Sequence, residues 1–143
     1  MKKLRFSIRI FMLLGLLGLV SACLGSDAVL GKAVLARGID SDGMPVDEAT
    51  IFHPGETVML ALQFTQGYEG LEAKITWKQD ERVLQTSQLS LSRQASTLDP
   101  YWMTDQLVTA ADWTPGEYRC EYFVPDQGTN SLSFTLEEER SDD

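Results

Sequence analysis

The chain of 143 residues is poor in the side chains that most often carry protein chemistry. It has two cysteines, Cys23 and Cys120, and one histidine, His53. A structural zinc site draws on four closely placed ligands, and this inventory cannot supply them without several carboxylates. His53 lies in a predicted loop, and no segment resembles the nucleophile elbow that positions a catalytic serine. We therefore expect a protein that is not an enzyme and that uses no cofactor.

The sequence also lacks an apolar run long enough to span a bilayer. Residues 10–20 are apolar and uncharged, and the segment before them holds four cations, Lys2, Lys3, Arg5 and Arg9, and no acid. A hydrocarbon slab of about 30 Å needs about 20 apolar residues, so this run is too short for an ordinary span. The layout is typical of a cleaved signal peptide, and an uncleaved N-terminal anchor is the alternative.

Cations are scarce in the rest of the chain. Removing residues 1–22 takes away four of the 12 Lys and Arg and none of the 21 Asp and Glu, which leaves eight against 21, a side-chain sum of −13. Proteins bind nucleic acid and anionic lipid headgroups largely by neutralising their charge, so we expect no nucleic-acid partner. The 121 residues that remain suit one domain.

Alternation with a period of two is the main pattern that the sequence does have. In residues 56–64, Val58, Leu60 and Leu62 alternate with smaller or more polar neighbours, and residues 71–79 repeat this pattern around Trp77. Such alternation indicates strands with one buried face. Further predicted strands lie at 32–39, 82–91, 101–108, 116–124 and 131–136. The composition of the first of these also favours helix.

Short strands separated by regular turn signals predict an all-β fold. We expect a single antiparallel β-sandwich of seven or eight strands over residues 32–137. The segment 138–143 is predicted to be an acidic tail, because it is too highly charged to bury.

One turn carries closely spaced carboxylates. Asp40 and Asp42 precede Gly43, and Asp47 follows shortly after. Oxygen ligands on a turn suit Ca²⁺, but this segment lacks the third acid before the glycine and the distant glutamate of an EF-hand loop. A plain Asp-Gly turn explains the same residues, so calcium binding stays open here.

Two adjacent aromatic residues, Tyr101 and Trp102, are the candidate ligand contacts. An exposed aromatic patch on a sandwich suits a carbohydrate or a peptide. Because strand residues point alternately to opposite faces, only one of the two is expected to face outward, and the sequence does not decide which one.

The end of the apolar run resembles the lipobox of bacterial lipoprotein precursors, with Val20, Ser21 and Ala22 before Cys23. The resemblance implies cleavage after Ala22, a diacylglyceryl group on the Cys23 thiol, acylation of the new amine, and anchoring in a membrane outside the cytoplasm. Residues 23–31 would then be the acylated cysteine and its tether. Leu24 stands where the family's inner-membrane retention signal has Asp, which favours the periplasmic side of the outer membrane in a Gram-negative cell.

Three segments, 55–62, 75–80 and 112–120, resemble strands of the immunoglobulin-like fold. The resemblance implies that Trp77 lies in the core and that the Tyr118 hydroxyl bonds back to the backbone at a corner. Leu62 occupies the position of the family's first bridging cysteine, so no inter-sheet disulfide is expected. Cys120 is then a buried, inert thiol, and the alternative is a reactive or dimer-forming one.

A looser pattern over residues 33–136 is similar to immunoglobulin-like and fibronectin III-like domains of bacterial surface lipoproteins. It implies a non-catalytic binding or accessory module of the cell envelope, held to the membrane through the lipid on Cys23, with an envelope protein or polysaccharide as its partner. The alternative is an inhibitor or chaperone-like subunit of an envelope enzyme or secretion system.

Overall fold

The structure is a computed structural model that describes residues 28–140. The predicted signal peptide, Cys23 and the last three residues lie outside this range. The strands are β1 (Val29–Ile39), β2 (Pro45–Glu48), β3 (Ile51–Phe52), β4 (Thr57–Gln66), β5 (Glu72–Gln79), β6 (Arg82–Ser90), β7 (Tyr101–Val108), β8 (Gly116–Val124) and β9 (Gly128–Leu136). Residues 28–140 contain no helix of the length and hydropathy needed to cross a membrane.

The strands form two sheets that enclose one core. The first sheet has the order β2-β1-β4-β7, and the second has the order β3-β9-β8-β5-β6. The prediction of an all-β, two-sheet sandwich is confirmed. The period-two alternation in the sequence is the reason that this prediction succeeds, because every second side chain of β4, β5 and β8 turns inward and is buried.

The predicted count of seven or eight strands is wrong, since the described residues form nine. The additional strands, β2 and β3, have four and two residues, too few to show a period in the sequence. The sandwich is also not wholly antiparallel, because β3 pairs with β9 in parallel through Ile51 and Thr135. Residues 49–50 carry the chain across from the first sheet to the second.

Strand β1 begins at Val29, inside the segment 23–31 that the sequence assigns to the tether. Val29 pairs with Gln66 at the end of β4, and backbone pairing holds the segment 32–37 as strand rather than helix. The other predicted boundary lies close to the observed one, since β9 ends at Leu136.

Phe134 of β9 is the centre of an aromatic group in the core. Its ring lies 5.8 Å from Phe52, 6.1 Å from Trp77 and 5.5 Å from Tyr118, centroid to centroid. Trp113 in turn stacks on Tyr118 at 5.9 Å. Aromatic pairs in this range contribute beyond their buried area, so this group joins β3, β5, β8 and β9.

The sandwich has a proximal end and an open side. The proximal end is the end of the sandwich where the described chain begins, and it contains Ala28, Gly67, Ala95 and Gln127. The open side is the flank where β1 of one sheet faces β9 of the other. The opposite flank is partly closed, because the Gln85 side-chain amide of β6 donates to the Gln106 carbonyl of β7 at 2.8 Å.

Candidate functional site

The four residues that the sequence assigns to the core lie in it. Leu62, Trp77 and Cys120 have no solvent exposure, and Tyr118 is almost fully buried. Trp77 and Cys120 are cross-strand partners on β5 and β8. These residues shape the sandwich.

Tyr118 makes the corner bond that the immunoglobulin-like resemblance implies. Its hydroxyl donates to the carbonyl oxygen of Thr114, four residues upstream, at 2.7 Å. Burial raises the pKa of this phenol, and Asp80 adds to the rise while Arg82 opposes it. The bond fixes the entry of the chain into β8.

Sequence reasoning did not find the role of Asp105. The inward row of β7 contains Met103 and Leu107, and Asp105 lies between them in the same row. Its Oδ2 accepts a hydrogen bond of 2.8 Å from the indole Nε1 of Trp77, on the opposite sheet. The available signal was the alternation of β7, which places residues 101, 103, 105 and 107 on one face.

Cys120 is placed for packing rather than for reaction. Burial raises the pKa of its thiol far above the ordinary range, and the charges of Asp105 and Glu121 raise it further. A thiol is nucleophilic as its thiolate, and this environment disfavours that form. Within the described residues Cys120 has no disulfide partner.

Tyr101 and Trp102 do not form a joint aromatic patch. Tyr101 pairs with Phe64 on the inward face of β7, its hydroxyl lies 3.1 Å from Ser92 Oγ, and the Arg93 guanidinium covers its ring at 5.2 Å. Trp102 faces outward and is half-buried. The turn at Gly43 lies beside it, since a Cβ atom built on this glycine would be 3.6 Å from the Cβ of Trp102. The two rings are therefore on opposite faces and are each partly covered.

The carboxylates of the turn at Asp40 and Asp42 do not converge with that of Asp47. Oδ1 of Asp40 accepts hydrogen bonds from the backbone N–H groups of Asp42 and Met44, both at 2.9 Å. Asp47 pairs instead with Arg37 at 3.5 Å. No group of three or more His, Cys, Asp or Glu side chains placed to hold a metal ion occurs in the part of the chain that the structure describes. The carboxylate of Asp40 stabilises the hairpin turn.

His53 joins two chain segments. Its Nδ1 lies 2.9 Å from the carbonyl oxygen of Glu137, and its backbone N–H donates to Oε2 of Glu56 at 2.6 Å. The histidine thus connects the turn before β4 to the end of β9.

Part of the outer edge of β9 is free in the described chain. The N–H of Thr135 donates to the Thr50 carbonyl at 2.9 Å, which shows that this residue's backbone groups point away from β8. Because backbone groups alternate along a strand, those of Ser133, Ser131 and Thr129 point to the same edge. Strand β3 covers only Thr135 and Leu136, so in the described chain no strand pairs with this edge from residue 128 to 133.

This edge has none of the usual protection against a further strand. Residues 129–133 contain no proline, no charge and no bulge in their pairing with β8. The neighbouring free edge of β1 differs, because it has irregular register near Leu30 and carries the Lys32–Glu48 ion pair at 2.6 Å. The β9 edge is therefore the better template for an added strand.

A groove of about 320 Å³ lies beside this edge on the open side. Its lining is mostly small or aliphatic and comes from both sheets and from the crossing between them: Ala33, Val34, Leu35, Glu48, Ala49, Thr50, Leu132 and Ser133. A strand added to β9 would place every second side chain toward this groove.

Comparison with known proteins adds little. No family model and no curated protein matches the chain. Among solved structures, the crystal structure of Spo0M, a sporulation control protein from Bacillus subtilis, matches at a TM-score of 0.37 and 12% identity. The match covers 76% of this chain and 50% of that one, so the chain spans about half the length of that protein. A likeness this distant assigns neither a fold family nor a function.

Proposed function

We propose that this protein is a lipid-anchored, extracytoplasmic and non-catalytic binding module of the bacterial cell envelope. Its partner is an envelope protein that adds an extended segment to the edge of β9. The anchor is supported by the sequence from Val20 to Cys23, which matches a lipobox. Leu24 after the acylated residue favours the outer membrane in a Gram-negative cell.

The finer fold assignment is an immunoglobulin-like or fibronectin III-like domain. It is supported by the Tyr118 corner bond two residues before Cys120, and by the packing of Trp77 beside that cysteine. Leu62 fills the place of the absent bridge partner and is fully buried. Domains of this kind serve many functions, so the function is argued from the surface.

The observation that carries the binding role is the unprotected β9 edge above an apolar groove. Main-chain hydrogen bonds along such an edge supply affinity, and pockets for alternate side chains supply specificity. The edge residues Thr129, Ser131 and Ser133 are exposed in the described structure. A polypeptide fits this surface better than a polysaccharide does, because Tyr101 and Trp102 do not form an exposed stacking platform.

The edge offers a sharp test at Ser131. The N–H of Ser131 points away from β8, so Ser131→Pro removes a donor that the sandwich itself does not use. Ser131→Ala, the matched control, keeps that donor and removes only the hydroxyl. The readout is crosslinking in intact cells from a photoreactive residue at position 133. We expect it to capture one contiguous segment of a partner protein. The yield of this crosslink should fall at least tenfold in the Ser131→Pro variant and stay unchanged in the Ser131→Ala variant.

Equal capture by both variants would contradict pairing along β9. Thermal unfolding of both variants must first show that the sandwich persists. The alternative role, an inhibitor or chaperone-like subunit of an envelope enzyme or secretion system, would be favoured if the captured partner were such an enzyme or a secretion component.

A further inference from the structure

We propose that the proximal end of the sandwich rests on the bilayer surface and that the side chain of Leu98 enters the lipid interface. This inference rests on the proposed anchor at Cys23. It assigns a second, non-covalent membrane contact and sets the orientation of the domain.

The first support is the place where the sandwich is attached. Val29 pairs with Gln66, and the Gln127 side-chain amide donates to the Ala28 carbonyl at 2.7 Å, so the described chain begins firmly at the proximal end. From Cys23 to Ala28 the backbone has five residue steps, which reach at most about 18 Å. Such a short connection keeps this end, and not the opposite one, beside the membrane.

The second support is an ordered loop that exposes a leucine at this end. Leu98 is 97% exposed, the highest value among the large apolar side chains of the described residues. It lies in a turn closed by two backbone hydrogen bonds between Ser96 and Asp99, at 3.1 and 3.2 Å. The loop reaches the proximal end through the bridge of Ala95 with Gly67.

Arg93 holds this loop in shape. Its guanidinium donates to the backbone carbonyls of Gln94 and Pro100 at 3.0 and 3.2 Å and to the Asp99 carboxylate at 3.0 Å, and it lies over the Tyr101 ring. These contacts hold the backbone of the loop on both sides of Leu98. Covering so exposed a leucine with an apolar surface is favourable, and the short connection to the anchor places the bilayer beside this end.

The surroundings of Leu98 suit a lipid interface. Tyr68, in the next turn at the same end, is 48% exposed, and tyrosine is favoured at the level of the headgroups. Asp99 is paired with Arg93, whereas the exposed Glu69 and Asp126 carry negative charge at the same end, so the contact is expected with neutral rather than anionic headgroups. One leucine binds a bilayer weakly, but the covalent anchor makes the contact intramolecular, so a weak contact suffices.

The test uses the full mature, acylated protein in vesicles of phosphatidylethanolamine and phosphatidylglycerol that contain a lipid with a photoreactive group near its headgroup. We expect crosslinks to concentrate at residues 96–99 and at Tyr68, and Leu98→Ser to reduce the loop crosslinks at least fivefold. Val83→Ser is the matched control, because Val83 is 53% exposed and lies next to the β5–β6 turn at the opposite end.

The possible outcomes distinguish a failure of the proposed orientation from a failure of the proposed anchor. The proposed orientation would be overturned by lipid crosslinks at residues 80–83. It would also be overturned if the Leu98→Ser variant crosslinked to lipid as strongly as the parent protein. In either case, flotation of the protein with the vesicles would still support the anchor. Protein recovered from cells without acyl chains would overturn both.

Discussion

The indole N–H of Trp77 donates a 2.8 Å hydrogen bond to the carboxylate of Asp105, which lies on the opposite sheet. Trp77 is fully buried, so its single donor has no access to bulk water. An acid in the inward row of β7 would otherwise be unfavourable, and this bond offsets part of the cost of burying it. The pair therefore fixes how the two sheets face each other.

Replacing Asp105 tests this relationship. Asp105→Ala leaves the buried Trp77 donor unpaired and should lower the free energy of unfolding by about 1–3 kcal/mol. Asp105→Asn keeps an acceptor at the same position and should cost less. Urea titrations followed by tryptophan fluorescence measure both variants. Equal losses for the two would show that the indole bond is unimportant.

The corner bond of Tyr118 gives a second prediction. Tyr118→Phe removes only the hydroxyl that donates to Thr114 and should cost about 0.5–1.5 kcal/mol in unfolding free energy. Tyr68→Phe changes an exposed tyrosine and serves as the control, with an expected change near zero. Thermal denaturation compares them, and a Tyr118→Phe variant as stable as the control would mean that the corner bond does not matter.

Cys120 should be inert in the folded protein. Because burial raises the pKa of its thiol, it stays protonated at mildly alkaline pH, where an exposed thiol begins to ionise. Iodoacetamide followed by peptide mapping should leave Cys120 unmodified in buffer and alkylate it in urea. Rapid labelling of the folded protein, or a dimer linked through Cys120 on a non-reducing gel, would favour the reactive thiol instead.

The same thiol implies a loss of stability at high pH. Its folded pKa is raised, so the unfolded chain releases the proton first, and unfolding becomes more favourable as pH rises above the unfolded value of about 8.5. Cys120→Ala should weaken this alkaline dependence. Unfolding free energies of the parent and the variant between neutral and alkaline pH measure it, and parallel curves would argue against a buried thiol.

Glu121 should contribute to the pH dependence of folding stability in the acidic range. Hydrogen bonds from Lys78 and then Arg119 lower the pKa of its carboxyl, so its stabilising contribution is present above the unfolded value of about 4.3 and is lost as pH falls through the folded pKa. Glu121→Gln should flatten the stability curve in that window. Glu138→Gln, in the exposed segment after β9, is the control, and identical curves for the two variants would contradict this role.

Local pattern predicted much of the fold. The alternation of Val58, Leu60 and Leu62 identified β4 and its buried face, and the observed strand is close to the predicted segment. The same logic placed Trp77 inward on β5. These features depend on residues close in sequence, which is why period-two patterns reveal them.

The features that sequence reasoning missed depend on tertiary structure. The alternation of β7 places Asp105 inward, but it does not show that the partner of its carboxylate is the indole of Trp77, 28 residues away and on the opposite sheet. The short strands β2 and β3 form only because β1 and β9 offer edges for them. Likewise, the free edge of β9 follows from the order of strands in its sheet, which pattern alone does not determine.

The acyl anchor is the claim on which the location, the partner class and the orientation of the domain all depend. It is tested most directly by mass spectrometry of the N-terminal peptide of protein extracted from the membrane fraction. The account predicts a peptide that begins at Cys23 and carries a diacylglyceryl thioether and an acylated amine. A peptide that retains residues 1–22, or a Cys23 with an unmodified sulfur, would contradict it.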